Sequence, residues 1–488
     1  MDRLTGQDAQ FLYNETPSQH MHTLKIAVAD VTAAVGGYSF DTFRRVVAER
    51  LHVLPELRRR VAWAPLRLGH PWWVDDPDFD LDRHLHRATL AAPGDRSALD
   101  ALTSRIAGTP LPADRPLWEI WVAEGLADGR VAFITKIHHA VADGARAAEM
   151  LAAITTTDPA EVTPPPAGGE WSPAPLPSFA RRLRTGLAVV AGITAGVPAL
   201  VARTARALKA LVAHRRRGGP RPGVPFTGAW VSFNGALTPR RSFATATVEL
   251  DRLRHAKRSL DVTLNDIVLA MVTGGVRRYL DEHGDLPDRG LVAGVPVSTR
   301  TGKGQGANRV SNLFVDLPVH LADPRERLQM IHDSAEGAKA QYQVLGADML
   351  ADWSELTPAQ PYRAFMRWYS GHNLADRGPS PLNLVVSNVP GPREPLFIAG
   401  ARIVELYSVG PILEGIGLNV TVWSYIDRLY VGILGCPDQQ DDLRRLAEVL
   451  PDALSELEAV GASPPPDPGR SEGAPLGHGA TSGSEPAL

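Results

Sequence analysis

The chain has 488 residues, of which 44% are hydrophobic and 22% charged, and these proportions indicate a packed body and exclude wholesale disorder. Its length predicts more than one domain, and we expect two. A net charge of -3 gives no reason to expect a nucleic acid partner, and the single cysteine, Cys436, excludes an intrachain disulfide and a cysteine-rich zinc site.

The N-terminus lacks the charged and then apolar pattern of a secretory signal. The longest apolar stretch, residues 186–202, is short of the ~20 residues that a membrane span needs. We therefore expect the protein in the cytoplasm, a reducing compartment that suits a chain with one cysteine.

Residues 1–158 alternate strand-like runs with amphipathic stretches and form the first predicted domain. Apolar residues spaced three and four apart indicate helices, whereas short apolar or alternating runs indicate strands. The predicted strands cover residues 23–29, 116–122 and 131–137, and the predicted helices cover residues 41–54, 98–107 and 145–154.

Residues 159–225 separate the two domains. Proline, alanine and glycine dominate residues 159–177, which predicts a linker. Residues 179–217 combine nine arginine or lysine side chains with apolar ones and contain no acidic residue. This segment fits either peripheral attachment to an anionic membrane or lipid droplet, or an interdomain helix pair with a solvated charged face.

Residues 226–460 form the second predicted domain, and the Pro-, Gly- and Ser-rich residues 461–488 are predicted to be a disordered tail. Because strands and helices mix in both domains, the sequence predicts an α/β fold. The predicted strands of the second domain cover residues 243–250, 291–297, 313–317, 382–387, 403–407, 418–424 and 428–434, and its helices cover residues 264–280, 324–345 and 439–459.

The most informative segment is residues 136–144, with the sequence KIHHAVADG. Its two adjacent histidines end a predicted strand, in which successive side chains point to opposite faces, so only one of them can face a cleft. A lone histidine on an apolar strand is usually a core residue. The pair His138-His139 followed by Asp143-Gly144 favours a catalytic site instead.

This segment resembles the HHxxxDG signature of the acyl-CoA-dependent acyltransferases, a superfamily that includes the condensation domains of non-ribosomal peptide synthetases. Further segments resemble motifs of one family, the bacterial wax ester synthase/diacylglycerol acyltransferases, in that family's order. They are residues 4–12 (LTGQDAQFL), 115–119 (RPLWE), 265–266 (ND), 295–300 (VPVSTR) and 387–392 (SNVPGP). The resemblance extends over residues 4–458.

The resemblance implies two chloramphenicol-acetyltransferase-like domains, each a mixed sheet packed with helices, with the active site at the domain interface and His139 facing a tunnel. A neutral imidazole suits the implied reaction. An alcohol is too weak an acid to be ionised by a base of pKa ~6.5, so it must lose its proton as its oxygen attacks the thioester. We therefore predict that His139 is the general base and that His138 is an internal residue of the same site.

Asp143 and Gly144 complete the catalytic signature. Asp143 either caps the helix that begins at Gly144 or, as the resemblance implies, pairs with an arginine that shapes the site. Arg300 is the candidate partner. Neither interpretation gives Asp143 a role in proton transfer.

A tetrahedral intermediate needs hydrogen-bond donors for its oxyanion. The candidates are Asn265, at the start of a predicted helix whose amide end favours negative charge, and Ser387 or Asn388. Each also has a structural interpretation, as a helix cap for Asn265 and as turn formers for the other two. Asp266 and Arg300 join Ser387 and Asn388 in the predicted substrate-binding set.

Pro116, Leu117 and Trp118 are candidates for the lining of an acyl tunnel, although a tryptophan on a strand is more often part of the core. Residues 301–306 could approach the phosphates of coenzyme A. They fit neither the P-loop nor the dinucleotide-binding pattern, which favours an ordinary loop.

The sequence therefore predicts an O-acyltransferase that moves a fatty acyl group from acyl-CoA to diacylglycerol, giving triacylglycerol, or to a fatty alcohol, giving a wax ester. It predicts no cofactor and no metal. The expected partners are the two substrates and, peripherally, the inner membrane or lipid droplets. Two alternatives stay open: a specialised or condensation-type enzyme with a carrier-protein donor, and a non-catalytic acyl-lipid-binding protein.

Overall fold

The computed structural model describes residues 2–32, 34, 37–142, 144–159, 171–298, 310–346 and 349–462. These residues form helices α1 (Gly6–Asn14), α2 (Phe40–Arg50), α3 (Arg96–Gly108), α4 (Gly144–Ile154), α5 (Phe179–Arg216), α6 (Leu250–Leu260), α7 (Leu264–Glu282), α8 (Pro324–Leu345), α9 (Met349–Glu355), α10 (Ala359–Gly371) and α11 (Leu443–Ala462). They also form strands β1 (Asp2–Arg3), β2 (His22–Asp30), β3 (Arg59–Ala62), β4 (Trp72–Asp75), β5 (Leu85–Thr89), β6 (Trp118–Glu124), β7 (Val131–His138), β8 (Ser242–Glu249), β9 (Leu291–Ser298), β10 (Val310–Leu317), β11 (Leu384–Val389), β12 (Phe397–Ile398), β13 (Ala401–Val409), β14 (Leu418–Tyr425) and β15 (Arg428–Gly435).

The first of two large sheets has the strand order β12-β13-β2-β7-β6-β5. It is mixed, because β5 and β6 are parallel and the other neighbours are antiparallel. The central strand β2 is buried along eight of its nine residues, and residues 26–29 of it are apolar without alternation. Its register with β7 places His22 opposite His138.

The second large sheet has the order β10-β9-β11-β14-β15-β8. β11 runs parallel to both of its neighbours and the other pairs are antiparallel, so this sheet is mixed too. Thirteen of the nineteen residues of α7 are buried, since this helix packs against both α8 and α11 in the core of the second half. A small third sheet has the order β1-β4-β3. Its strand β1 precedes α1 in the chain, and its other two strands follow β2 and α2.

The second half of the chain contributes two strands to the first sheet. β12 and β13 lie in sequence between β11 and β14 of the second sheet, yet β13 pairs with β2 and so extends the first sheet. Lys25 of β2 reinforces this link, because its buried ammonium donates to the Ser408 hydroxyl of β13 at 2.5 Å and lies 5.0 Å from the Trp423 ring of β14. The predicted division at residues 158 and 226 does not anticipate this pairing, since strand pairing leaves no trace in local composition.

The predicted elements are found close to their predicted bounds. α2 ends at Arg50 rather than at residue 54, and α11 begins at Leu443 and runs to Ala462, beyond the predicted start of the tail. Helices α1, α6, α9 and α10 were not predicted. The loop at residues 301–306 and the tail from residue 463 lie outside the described residues.

The basic segment is one helix of 38 residues, α5, and not a helix pair. Only Gly186 and Leu200 of this helix are buried. By length and composition α5 is apolar enough to cross a membrane, with a mean hydropathy of 1.9 over its most apolar 18 residues. The expectation that no segment is long enough to span a membrane was therefore wrong. It rested on the longest uninterrupted apolar run, whereas the helix extends beyond that run.

Candidate active site

The two histidines lie at the end of β7, held from both sides by backbone hydrogen bonds. The His138 N–H donates to the Leu117 carbonyl at 3.0 Å, and the His139 N–H donates to the Met21 carbonyl at 2.7 Å. Leu117 immediately precedes β6, and Met21 immediately precedes β2. Segments next to both neighbouring strands therefore fix the backbone from which the two imidazoles project.

His138 is an internal residue, with 1% of its surface exposed. Its Nδ1 accepts the backbone N–H of Ala140 at 3.0 Å, which leaves Nε2 to carry the ring proton. That Nε2 lies 3.1 Å from a carboxylate oxygen of Glu15. Burial opposes ionisation of Glu15, but the facing His138, with His20 and a backbone hydrogen bond from Met21, lowers the pKa of this carboxyl below its ordinary value.

Two more histidines extend the polar cluster behind His138. The rings of His20 and His22 stack with centroids 5.6 Å apart, and His22 Nε2 lies 3.7 Å from Glu15. Burial, followed by the nearby Arg241, lowers the pKa of His20 to about 4, and burial lowers the pKa of His22 well below its usual range. Both imidazoles are therefore neutral at pH 7, so this cluster supports the strand end rather than supplying protons.

His139 has a different environment. It is half-buried, and its ring stacks on Phe11 of α1 with centroids 4.2 Å apart and an interplanar angle of 25°. The stacking fixes the plane of the imidazole while leaving part of the ring accessible. These positions agree with the predicted facing of the two histidines, and the role of His139 as general base stays a prediction.

The three candidates for an acyl tunnel are all buried, but in different surroundings. Leu117 belongs to an apolar cluster with α1 and Ala140. Pro116 accepts the backbone N–H of Trp118 at 3.0 Å. The Trp118 indole stacks on His84 at 4.4 Å and donates to the Leu57 carbonyl, as expected of a core tryptophan.

A cavity of about 20 Å³ lies between Trp118 and helix α4. This volume is that of about one water molecule, so the closed cavity has no room for an acyl chain. Of the three tunnel candidates, only Leu117 lies in the apolar cluster that also contains Ala140 and residues of α1.

The N-terminus of α7 carries Asn265 and Asp266. Asp266 is buried and forms a capping box with Thr263, and its carboxylate also lies 2.9 Å from His332 Nδ1. These contacts hold Asp266 at the start of α7, and its place in the substrate-binding set stays a prediction.

The structure brings Asn265 and Asn388 together. The Asn388 amide donates to Asn265 Oδ1 at 3.4 Å. Ser387 is the preceding residue of β11 and points to the opposite face of the sheet, because side chains alternate along a strand. Of the two candidates in this motif, Asn388 is therefore the one that can act with Asn265.

Only part of the remaining HHxxxDG signature lies among the residues that the structure describes. Gly144 begins α4, as predicted. Asp143 and Arg300 lie outside the described residues, so their pairing stays a prediction. Sequence reasoning missed Phe11 and Glu15 as contacts of the two histidines, although Phe11 lies inside the first quoted motif.

Comparisons with known proteins agree with this geometry. The family profile described as Wax ester synthase/diacylglycerol acyltransferase catalytic domain matches residues 4–268, more than half of the chain. The chain belongs to this family. The profile described as WS/DGAT C-terminal domain matches residues 306–458 of the same chain. This wax ester synthase/diacylglycerol acyltransferase family member is thus an acyltransferase of that type, as the sequence predicted.

Relatives of similar length support the assignment. Two Mycobacterium tuberculosis H37Rv proteins, each named putative diacylglycerol O-acyltransferase, are 39% identical over 435 residues and 37% identical over 459 residues. The first alignment covers 89% of this chain and 91% of the relative, and the second covers 94% and 90%.

Solved structures confirm the fold class. The wax ester synthase/diacylglycerol acyltransferase from Marinobacter aquaeolei VT8 superimposes with a TM-score of 0.64 at 26% identity, covering 94% of this chain and all of that one. The first condensation domain of the calcium-dependent antibiotic synthetase superimposes with a TM-score of 0.59 at 19% identity, covering 95% and 97% of the two chains. The second likeness is one of fold, so the predicted pair of chloramphenicol-acetyltransferase-like domains is confirmed.

Proposed function

We propose that this acyltransferase moves a fatty acyl group from acyl-CoA directly to the hydroxyl of a lipid alcohol, with both substrates bound together. Diacylglycerol is the first acceptor to test, because the names of the two mycobacterial relatives specify it. A long-chain alcohol is the second, because the family name includes wax ester synthesis.

One observation supports the assignment of the general base. His138 is 1% exposed and tied to Glu15 and Ala140, whereas His139 is half-buried and its ring stacks on Phe11. A base must reach the hydroxyl whose proton it takes. His139 meets this requirement better than His138.

In the proposed reaction, His139 accepts the hydroxyl proton as the alcohol oxygen bonds to the thioester carbonyl carbon. The resulting tetrahedral intermediate then breaks its carbon–sulfur bond. The His139 imidazolium returns the proton to the departing thiolate, giving an ester and free coenzyme A. General base catalysis of this kind contributes ~10²- to 10⁴-fold.

The paired amides of Asn265 and Asn388 are the proposed oxyanion donors. Because Oδ1 of Asn265 accepts the Asn388 N–H, the Asn265 N–H donors are directed away from Asn388. Asn265 also lies in the first turn of α7, where backbone amides favour negative charge.

The central test is release of free coenzyme A from palmitoyl-CoA by the purified protein, with diolein or hexadecanol as acceptor. We expect release that depends on the acceptor and falls at least ~10²-fold in His139→Ala. Lack of release with every alcohol would contradict the proposal.

The two alternatives give different results in the same assay. A carrier-protein enzyme would transfer the acyl group from palmitoyl-carrier protein and leave palmitoyl-CoA intact. A non-catalytic protein would bind the acyl chain without releasing coenzyme A from either donor.

We also propose that α5 attaches the protein peripherally to the cytoplasmic face of the inner membrane or to lipid droplets. Its exposed apolar side chains recur three, four or seven residues apart and therefore lie on one stripe. The eight arginine or lysine side chains of α5 and its lack of acidic residues favour an anionic surface. The stripe comprises Leu187, Val190, Val197, Val201, Leu208 and Val212.

Flotation with phosphatidylglycerol vesicles tests this attachment. We expect R206E/K209E to float less than the wild type, while the charge-preserving pair R206K/K209R floats equally. Alkaline carbonate should release the wild type from membranes, as it does a peripheral protein. Equal flotation of the charge-reversed and charge-preserving pairs would reject the role of α5, and resistance to carbonate would indicate a span instead.

A further inference from the structure

Helix α10 is attached to the protein through polar contacts. The Tyr362 hydroxyl donates to Asn14 Oδ1 of α1 at 2.8 Å, and the Ser370 hydroxyl donates to Glu414 Oε1 at 2.6 Å. The Arg363 guanidinium lies 4.7 Å from the centroid of the Trp63 ring. These contacts, together with the packing of Ala359 and Tyr362 in an apolar cluster with α1, hold the inward face of the helix.

The outward face of α10 is apolar. Phe365 and Trp368 are 50% and 53% exposed, and their ring centroids lie 6.2 Å apart, as expected of residues three apart on one helix face. Pro361 and Ala364 are exposed on the same stripe. A surface helix of a soluble protein normally turns its apolar stripe inward, so this orientation indicates a surface that is covered by something else.

The charge around the stripe points to an anionic lipid surface. α10 contains Arg363 and Arg367 and no acidic residue, and Arg367 is exposed beside the aromatic pair. Phenylalanine and tryptophan next to arginine are typical of helices that lie at a membrane interface.

Helix α9 joins this stripe to the basic helix α5. The Trp353 indole of α9 is 44% exposed, and its N–H donates to the Thr204 hydroxyl of α5 at 3.0 Å. Arg203 of α5 forms an ion pair with Asp352 of α9. α10 begins after only three further residues, so helices proposed to face lipid are neighbours in the structure.

Helix α10 also lies close to the catalytic histidine. It packs against α1 through the Tyr362–Asn14 hydrogen bond, and Phe11 of α1 stacks on His139. One helix therefore separates the exposed aromatic stripe from the proposed general base.

We propose that α10 inserts Phe365 and Trp368 into an anionic membrane surface and that the lipid alcohol leaves the membrane beside this helix to reach His139. This inference rests on the proposed function, because it assumes a hydroxyl acceptor dissolved in lipid. It assigns to α10 a step that α5 does not perform, since α5 binds the surface and α10 places the active site against it.

The test compares one acceptor in a membrane with another in water. The wild type and F365S/W368S receive palmitoyl-CoA with either diolein in phosphatidylglycerol–phosphatidylcholine vesicles or water-soluble butanol. We expect the variant to lose about tenfold or more of its rate on vesicle diolein, through a higher apparent KM, because two large apolar side chains no longer enter the lipid. Its rate with butanol should stay within about twofold of the wild type, because the chemistry at His139 is unchanged.

Two further variants separate insertion from a structural effect. The control V53S/M330S removes apolar side chains of similar exposure, 51% and 41%, from elements outside α5, α9 and α10, and both of its rates should match the wild type. The conservative variant F365L/W368F should recover most of the vesicle rate.

Three outcomes would overturn the inference: a normal vesicle rate in F365S/W368S, an equal loss with butanol, or an equal loss in V53S/M330S. If the wild type acylates no alcohol in either form, the proposed function fails instead. Vesicle flotation of F365S/W368S against the wild type then still decides whether α10 inserts, and equal flotation would reject it.

Discussion

The side chains of His138 and His139 leave the end of β7 into different surroundings. His138 enters a cluster with Glu15 and His22, where its Nε2 faces the Glu15 carboxylate. His139 meets the flat face of Phe11, which orients its ring. Two residues that are adjacent in the chain thus carry a structural imidazole and the proposed catalytic one.

Replacing His138 tests this separation. We expect His138→Ala to lower the free energy of unfolding by about 2–4 kcal/mol, because it leaves a cavity and removes the donor that faces the Glu15 carboxylate. Urea unfolding measures this loss. The folded fraction should keep its kcat within about tenfold of the wild type, whereas His139→Ala should keep its stability and lose turnover. The opposite pattern would reverse the roles of the two residues.

The buried histidines also predict how stability depends on pH. In the unfolded chain His20 and His22 take up protons below about pH 6.5, but in the folded chain burial lowers both pKa values, that of His20 to about 4. The unfolded state therefore binds more protons in this range, and stability falls as the pH falls. For His20 the expected loss between pH 6.5 and 5 is about 2 kcal/mol, and His22 adds to it in the same direction.

The variant His20→Phe isolates one of these contributions. Phenylalanine preserves the ring that stacks on His22 but cannot be protonated. We expect the difference in unfolding free energy between pH 7 and pH 5 to be smaller in His20→Phe than in the wild type. Identical pH dependence would show that His20 is protonated in the folded chain.

At the scale of elements, the first turn of α7 combines a structural and a proposed catalytic role. Thr263 caps the helix by accepting the Asp266 N–H at 3.2 Å, while Asn265 between them contacts Asn388 of β11. The cap fixes the helix start, and the helix start fixes the position of the Asn265 amide.

These roles should separate by mutation. Thr263→Ala is expected to lower the free energy of unfolding by about 1 kcal/mol, because a helix cap is lost. Asn265→Ala is expected to leave stability nearly unchanged and to lower kcat by ~10²- to 10³-fold, as does loss of an oxyanion donor. Unfolding curves and steady-state kinetics of both variants provide the measurement. A loss of stability without loss of kcat in Asn265→Ala would show that Asn265 has only a structural role at the start of α7.

At the scale of the whole molecule, the pairing of β13 with β2 makes the two halves interdependent. Without β13, the strand β2 would become an open edge with unpaired backbone groups next to an apolar core. Lys25 would also lose the Ser408 hydroxyl that accepts from its buried ammonium.

We therefore expect residues 1–225 expressed alone to be insoluble or unfolded, although they contain the complete HHxxxDG signature. Co-expression with residues 226–488 should restore a soluble complex, because the second fragment supplies β13. Soluble yield and co-purification through a tag on one fragment measure this. A folded, monomeric 1–225 fragment would contradict the expectation.

The sequence by itself determined most of the local structure and the type of chemistry. The period of the apolar residues predicted most strands of the two large sheets and most of the long helices, but not α1, α6, α9, α10 or the short strands. The ordered motifs from residue 4 to residue 392 indicated the family and the reaction type. These features are local, because hydrogen bonding within a helix and alternation along a strand depend on residues close together in the chain.

Only the tertiary structure decided which groups meet. The contacts of His138 with Glu15, of His139 with Phe11 and of Asn265 with Asn388 join residues 123 to 128 positions apart, and β13 reaches β2 from the far end of the chain. The tertiary structure also decided the outward orientation of α10. The spacing of apolar residues indicates that a helix has one apolar face, but not whether that face turns toward protein or toward lipid. Strand register and packing set these contacts, and neither leaves a signal in a short stretch of sequence.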